Sequence, residues 1–537
     1  MTNTTYGNHA PINDFTTVGF ASIATFFPVK EVSKSLDKFD RRSFRFRHAM
    51  NEFIFYVPIM AALENVSADS AYAEIQKAYS TIWGSRPLSD FGSGGLSNAR
   101  LRIGYECHRD LFERICRPLA EHPHPYTHFA GLRMIAVDGS LLNVADTAKN
   151  QEFGRPKNQY DMKAGYPQAR IVSLVETGTH AMFAMKIGTF KEGEATLAKE
   201  VFESVEPDML VTADRLYLGW ELVNLILQKG AKLLWRFKAG DVDRFHIEGR
   251  LPDGSYRAKY FPPKSHEHSS PIDVRILAYI PAAGSEAIYL VTNLLDHEGA
   301  PAKDLARVYM QRWEIEMVFN EMKVSLMNGE PFTSQRPELV RQQIYGYALA
   351  HYAVRKTIYQ AAQTADLDPD EISFTGTLGT IKANCKLFTF SDSLRKQLNT
   401  EVKQTLSNHM ENSINELKVE ITEKCAEYEK CANLPTPEFI NMVIDSIKSK
   451  FQSMACLVSH TINGVFAVQH QQVMQAIIEE VASKKRLRTS SSRGKSSPRT
   501  TKQKTNKKYE PRKGVKPKVK YSADIRLLWL GPHLELQ

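Results

Sequence analysis

The sequence predicts an α/β fold: a mixed sheet flanked by helices, carrying a β-rich insertion, with helical regions before and after it. Three observations lead there. Between residues 130 and 240, short apolar runs bounded by turn residues alternate with amphipathic helical stretches. From residue 239 to 288 the helical pattern lapses into β-branched and aromatic runs separated by Gly, Pro and His. Finally, Leu305–Met327 (LARVYMQRWEIEMVFNEMKVSLM) has no Gly or Pro and is dense in helix formers, which predicts a helix of about six turns.

In chain order, residues 1–120 read as a helical domain. Stretches such as VSKSLDKFDRRSFRFRHAMNEFIFYVPIMAALENVS and DSAYAEIQKAYSTIWG have helical periodicity, with punctuation at Arg86-Pro87 and Gly92–Gly95. Arg41, Arg42, Arg45, Arg47 and His48 make a basic patch there. Leu132–Val137 (LRMIAV) is a buried strand, and Asp138-Gly139-Ser140 reads as the tight turn that stops it. Strands follow at Arg170–Val175 and Ala181–Ile187, then a helix at Gly193–Val205. Asp208–Ala213 is a strand delivering Asp214. A helix over Leu218–Leu227 and a strand over Lys232–Lys238 complete the alternation. A loop of about 60 residues would be unusual in a compact domain, so 239–288 is read as a β-rich insertion. His246, His266 and His268 within it lack metal-site spacing and are expected on the surface.

On the Leu305–Met327 helix, Tyr309, Arg312, Glu316 and Lys323 share one face, and Val308, Ile315, Phe319 and Met322 form the adjoining apolar stripe. Glu314 and Glu321 are expected to face solvent. Residues 346–483 are mostly helical, with stretches at Ser391–Leu434 and Pro437–Phe451. Residues 484–537 form a basic tail expected to be disordered, in which Lys484–Lys520 holds 16 Lys or Arg against one acid, Glu510. Set against a formal charge of +9 for all 537 residues, this leaves the rest of the chain net acidic. A polyanion, most commonly nucleic acid, is the implied partner. The short apolar run IRLLWLGPHLEL near the end is expected either to dock or to hang free.

A hydrophobic fraction of 42% and a charged fraction of 24% are ordinary for a soluble globular protein, and no run of 18 apolar residues suggests a membrane span. Six cysteines without C-x-x-C spacing point to reduced thiols, without a zinc site or disulfide framework.

Tyr309-x2-Arg312-x3-Glu316-x6-Lys323 resembles the signature of DDE transposases of the insertion-sequence-four family. Taken singly, Asp138-Gly139 is a common turn dipeptide and Asp214 a candidate helix cap. As an ordered set, Asp138 in VDGS and Asp214 with Tyr217 resemble that family's first and second acids, and Glu316 its third. The resemblance covers residues 125–345 and implies a ribonuclease-H-like catalytic domain. It further implies that residues 1–120 bind the element's terminal inverted repeats, that the insertion grips bent or hairpinned DNA, and that residues 346–483 either mediate subunit contacts or pack on the core.

The implied catalytic set is Asp138, Asp214 and Glu316, holding two Mg²⁺ ions, with Mn²⁺ a plausible substitute. Mg²⁺ takes hard oxygen ligands and keeps several waters, so a few carboxylates on separate elements suit it. Two ions ~3.5–4 Å apart can stabilise both the attacking and the leaving oxygen of a phosphodiester. Arg312, Lys323 and Tyr309 are expected to contact phosphate, with Arg215 and Tyr217 as further DNA contacts. The expected partners are double-stranded DNA, both element ends and target, and further copies of the chain in a homodimer or higher oligomer. The expected location is the bacterial cytoplasm, on the nucleoid when DNA is bound. A metal-dependent nuclease or resolvase on the same core, or a non-catalytic DNA-binding relative, is the alternative.

Overall fold

Twelve residues, Leu132–Asn143, form the strand on which the sheet is assembled. The computed structural model describes residues 26–41, 51–83, 91–156 save Ser93, 165–281, 286–387, 474–484 and 526–527, with isolated helical positions from 400 to 419. Its strands are β1 (His128–Phe129), β2 (Leu132–Asn143), β3 (Gln168–Glu176), β4 (Ala181–Thr189), β5 (Met209–Ala213) and β6 (Lys232–Phe237). They continue as β7 (Phe245–Arg250), β8 (Tyr256–Tyr260), β9 (Ile272–Ile280), β10 (Ile288–Thr292) and β11 (Arg526–Leu527).

Among the described residues these make one sheet in the order β4-β3-β2-β5-β6-β10-β9-β8-β7, with β1 on β2 and β11 on β9. The first three strands pair antiparallel, whereas β5 lies parallel to β2 and β6 parallel to β5. An antiparallel meander followed by two parallel strands, each reached through a crossover helix, is the ribonuclease-H-like arrangement. The crossover helices, Glu194–Val201 and Trp220–Gln228, cover one face of the sheet. Alternation along the strands decides which residues meet them. Ile135 and Val137 of β2 and Val211 and Ala213 of β5 point into a core with Leu197, Val201, Val223 and Ile226. Their neighbours Met134 and Leu210 point the other way, onto Leu305, Ala306 and Tyr309 of the helix Ala302–Gln311.

Strand β2 does not stop at Val137. It runs on through Asp138, which pairs with Ser173, and Gly139, which pairs with Val172, as far as Asn143 opposite Gln168. The expected turn is absent because β3 offers a continuous ladder of backbone partners, and tertiary pairing overrides the local turn preference of Asp-Gly. The β-rich insertion extends this sheet: β10 pairs antiparallel with β6 and leads outward through β9, β8 and β7. Phe245, Tyr256, Tyr260 and Val274 share the core of β2 and β5, so the insertion is folded onto the same layer as those strands. The apolar run near the C-terminus docks in part, since Arg526 and Leu527 pair with Ile280 and Tyr279 of β9.

The chain divides into two compact units. One takes Pro58–Asn65, Gly104–Gly379 and Ile478–Gln537 and contains the sheet. It also holds the helix Pro337–Ala365, buried along most of its length. The other takes Met1–Val57, Val66–Ile103 and Thr380–Ile477, and its described part is helical. There Phe27, Val32, Leu36, Phe53 and Tyr56 are buried, and the Tyr56 hydroxyl donates to the Phe27 carbonyl at 2.6 Å. Arg41 is exposed; Arg42, Arg45, Arg47 and His48 lie outside the described residues. So do Pro437–Phe451, most of Ser391–Leu434 and most of the basic tail. Among the described residues no helix is long and apolar enough to cross a membrane.

Candidate active site

The parallel register pairs Ile135 with Val211 and Ala136 with Thr212. Strand β2 runs on through Asp138 and β5 ends at Ala213, one residue before Asp214, so the parallel pairing brings both acids to the same end of the two strands. Each acid accepts a hydrogen bond from the next residue's backbone: Gly139 N–H to Asp138 at 2.8 Å, and Arg215 N–H to Asp214 at 2.7 Å. The face of these strands that bears Met134 and Leu210 is the one covered by the helix bearing Tyr309.

The third acid arrives on a helix that is not continuous. Ala302–Gln311 ends at a turn through Arg312 and Trp313, Glu314–Asn320 starts anew, and Glu321–Leu326 is π-helical. The break lets Arg312 turn inward. Its buried guanidinium has Nη1 3.5 Å from Asp138 Oδ2 and Nη2 3.9 Å from Glu316 Oε1. Burial alone would lower the Arg312 pKa, but Tyr309, Asp138, Asp214 and Glu316 more than offset it and raise it. Asp138 and Glu316 of the expected triad therefore pair with one guanidinium, and the charge of Asp214 adds to the field on it. The Arg312 Nε and Nη1 are buried without a hydrogen-bond partner.

Tyr309 is buried, and its hydroxyl donates to the carbonyl of Ala213, the residue before Asp214, at 3.3 Å. Tyr217 is buried as well, Arg215 is exposed, and Lys323 is half-buried on the π-helical segment. Exposed Arg215 and Leu216 thus flank Asp214 on the solvent side.

Glu314 and Glu321, expected in solvent, are both buried. An unbroken 100° rotation per residue placed them outward, and the break at Arg312–Trp313 and the π turn change that phase. Glu321 takes two hydrogen bonds from Arg355, one of them from Nε at 3.0 Å, and lies 2.8 Å from His351 Nε2. His180, at φ 60° in the β3–β4 turn, sits 3.3 Å from Glu314 and 3.9 Å from Glu321. Burial would raise the Glu321 pKa, yet Arg355, His180 and His351 hold it well below the usual carboxylate range. Sequence periodicity carried no signal for this cluster, because His180, His351 and Arg355 come from distant elements.

A further carboxylate escaped the sequence reading. Glu194 opens the helix after β4, accepts from Arg170 Nη1 at 2.6 Å and from the Tyr217 hydroxyl at 3.4 Å, and lies against Gly139. An acid in the first turn of a helix reads as a dipole partner, which concealed it. Asp138 is pushed up to about 6, chiefly by burial, with Glu194 and Glu316 adding to it and Arg312 and the Gly139 N–H opposing.

A divalent metal suits this set in kind. The donors are carboxylates, hard oxygen ligands of the kind that Mg²⁺ and Mn²⁺ take. Among the described residues no three His, Cys, Asp or Glu side chains stand close enough to hold one ion; Asp138 and Glu316 face Arg312 instead. His246 and His268 are exposed, and His266 is half-buried. Cys107 and Cys116 are buried.

Residues 130–353 match the family model described as the transposase DDE domain. The transposase InsG of insertion sequence element IS4, from Escherichia coli strain K12, is 27% identical over 312 residues, 56% of this chain and 68% of that protein. The putative transposase InsZ of the same strain is 22% identical over 145 residues, 27% of this chain and 48% of that protein. Among solved structures, a piggyBac transposase synaptic complex with hairpin DNA aligns with a TM-score of 0.37 and 13% identity, covering 69% of this chain and 80% of that one.

Proposed function

We propose that this protein, whose residues 130–353 match the transposase DDE domain and which is similar to an IS4 transposase, binds the terminal inverted repeats of its own element, cleaves the ends by metal-dependent phosphodiester hydrolysis and joins the freed 3′-OH to target DNA. The observation that carries this is the pairing of Asp138, on a central strand, and Glu316, on a helix, with one buried guanidinium, Arg312, while Asp214 follows the end of the parallel strand next to that of Asp138.

In this reading Asp138, Asp214 and Glu316 hold two Mg²⁺ ions, or Mn²⁺ in their place. When bound, such ions activate the attacking oxygen and offset charge on the leaving one. Arg312 pairs with Asp138 and Glu316 while the site is without DNA. Its unpartnered Nε and Nη1 are donors that a phosphate oxygen would satisfy. Tyr309 fixes the end of β5, and so Asp214, through the Ala213 carbonyl. Exposed Arg215 contacts the DNA backbone beside Asp214, and Lys323 holds a phosphate one to two turns past Glu316.

The N-terminal helices, with their basic patch, bind the element ends. The helical region 346–483 joins copies of the chain into a dimer or higher oligomer. The tail after Ser483 adds sequence-independent affinity for DNA. A nuclease or resolvase without strand transfer is the competing reading, and the test separates the two. Full-length protein, a fragment carrying the sequences that flank its coding region, and a supercoiled plasmid are incubated with Mg²⁺. Joined products abolished by Asp138→Asn are expected. Cleavage without joining would favour the nuclease, and binding without either reaction would overturn the enzyme.

A further inference from the structure

We infer that Glu194 is a positioning residue for the metal site, acting from the opposite layer of the sheet through Gly139 on one side and Tyr217 on the other. The inference rests on the proposed metal-binding role of Asp138 and Asp214.

Alternation along β2 sends Asp138 to one face and Gly139 to the other. A side chain at residue 139 would enter the layer of the helix Glu194–Val201. Glycine leaves that space open, and the Glu194 carboxyl fills it: a Cβ built on Gly139 would stand 2.5 Å from Glu194 Cδ and 2.9 Å from its Oε1. The carboxylate therefore lies directly under the peptide whose N–H binds Asp138. It is held from two directions. Arg170, on β3 and paired with Leu141 of β2, donates at 2.6 Å and also reaches the Phe190 carbonyl at 3.3 Å. Tyr217, three residues past Asp214, donates at 3.4 Å. Its backbone N–H also bonds the Asp214 carbonyl at 3.1 Å, so it is tied directly to the second acid.

Glu194 thus packs under Gly139, beside the first acid, and hydrogen-bonds Tyr217 in the loop of the second. Groups placed this way orient metal ligands, and removing them typically weakens metal affinity 10- to 100-fold without touching the ion. The dull alternative is a helix-terminal ion pair that serves only folding, and that role would leave ion affinity unchanged once the fold is intact.

The test measures Mn²⁺ binding by full-length protein, without DNA, by electron paramagnetic resonance titration, with thermal melting of each variant alongside. Glu194→Gln keeps the shape and is expected to melt near the wild type while weakening Mn²⁺ binding roughly 10-fold or more. Tyr217→Phe removes one long hydrogen bond and is expected to weaken it less, on the order of threefold. Wild-type binding that Asp138→Asn abolishes but Glu194→Gln and Tyr217→Phe leave intact would overturn this inference alone. Absence of any Asp138-dependent Mn²⁺ binding in the wild type would overturn the metal reading itself, and this inference with it. Should Glu194→Gln fail to fold, an unchanged affinity in Tyr217→Phe would be decisive against it.

Discussion

Replacing Arg355 by Met should unfold the catalytic unit at markedly lower temperature, although Arg355 touches none of the three acids. Its guanidinium is 3% exposed and gives two hydrogen bonds to Glu321, itself 7% exposed. Removing one partner of a buried pair strands the other charge, which costs about 3–5 kcal/mol. His180 and His351 remain beside Glu321, so the lower part of that range is expected. At ~2–4 °C per kcal/mol for a domain of this size, the melting temperature should fall by roughly 6–12 °C. Glu321→Met combined with Arg355→Met should recover much of the loss, since apolar replacement of both partners is often near neutral. The assay is a double-mutant cycle read by thermal melting at neutral pH. A single variant within about 1 kcal/mol of the wild type, or a double variant no better than the single, would refute the buried-charge account.

The pH dependence of that cluster has a definite sign. Glu321 has a depressed folded pKa, so its contribution is present above the ordinary carboxylate value of ~4.3 and is lost as pH falls through the folded value. The penalty of Arg355→Met should therefore shrink in acid. His180 behaves oppositely: burial and Arg355 lower its pKa, but Glu314 and Glu321 more than offset them and raise it. Its contribution is complete below ~6.5 and is lost as pH rises through the folded value, so His180→Asn should cost more stability at pH 6 than at pH 9.

Asp138→Asn, Asp214→Asn and Glu316→Gln should each lower cleavage by roughly 10²–10³ or more while sparing binding of the element ends, measured by gel shift and single-turnover cleavage; lost binding would make the residues structural. Glu314→Gln, which an unbroken helix would leave silent, should lower the melting temperature because Glu314 is buried against His180. A melting curve matching the wild type would restore the continuous-helix phase. Gly139→Ala should cost about 1–3 kcal/mol through the clash with Glu194, and a neutral effect would mean that the carboxyl moves aside freely. Truncation after Ser483 should reduce the salt slope of DNA binding by roughly 0.9 for each phosphate the tail neutralises; an unchanged slope would leave the tail without a nucleic-acid role.

Much of this site was legible because strands and acids are local signals. LRMIAV followed by Asp138, and DMLVTA followed by Asp214, each mark a buried strand leading to a carboxylate, and parallel pairing of β2 with β5 carries the two acids to the same end of the sheet. Two things were hidden, for different reasons. The end of β2 was misplaced because Asp-Gly has a strong turn preference, and only the β3 ladder reveals that the strand passes through it. The phase of the Glu316 helix was hidden because periodicity assumes one uniform rotation. Here a turn at Arg312 and a π segment at Glu321 interrupt it.

That interruption explains why a motif with fixed spacing needs no straight helix. Tyr309 and Arg312 close one helix and Glu316 opens the next. Tyr309 can then bind the Ala213 carbonyl while Arg312 faces Asp138 and Glu316. A straight helix would send Glu314 and Glu321 to solvent, whereas the broken one buries both on His180, His351 and Arg355. The buried cluster and the three acids therefore occupy opposite sides of one deformed segment.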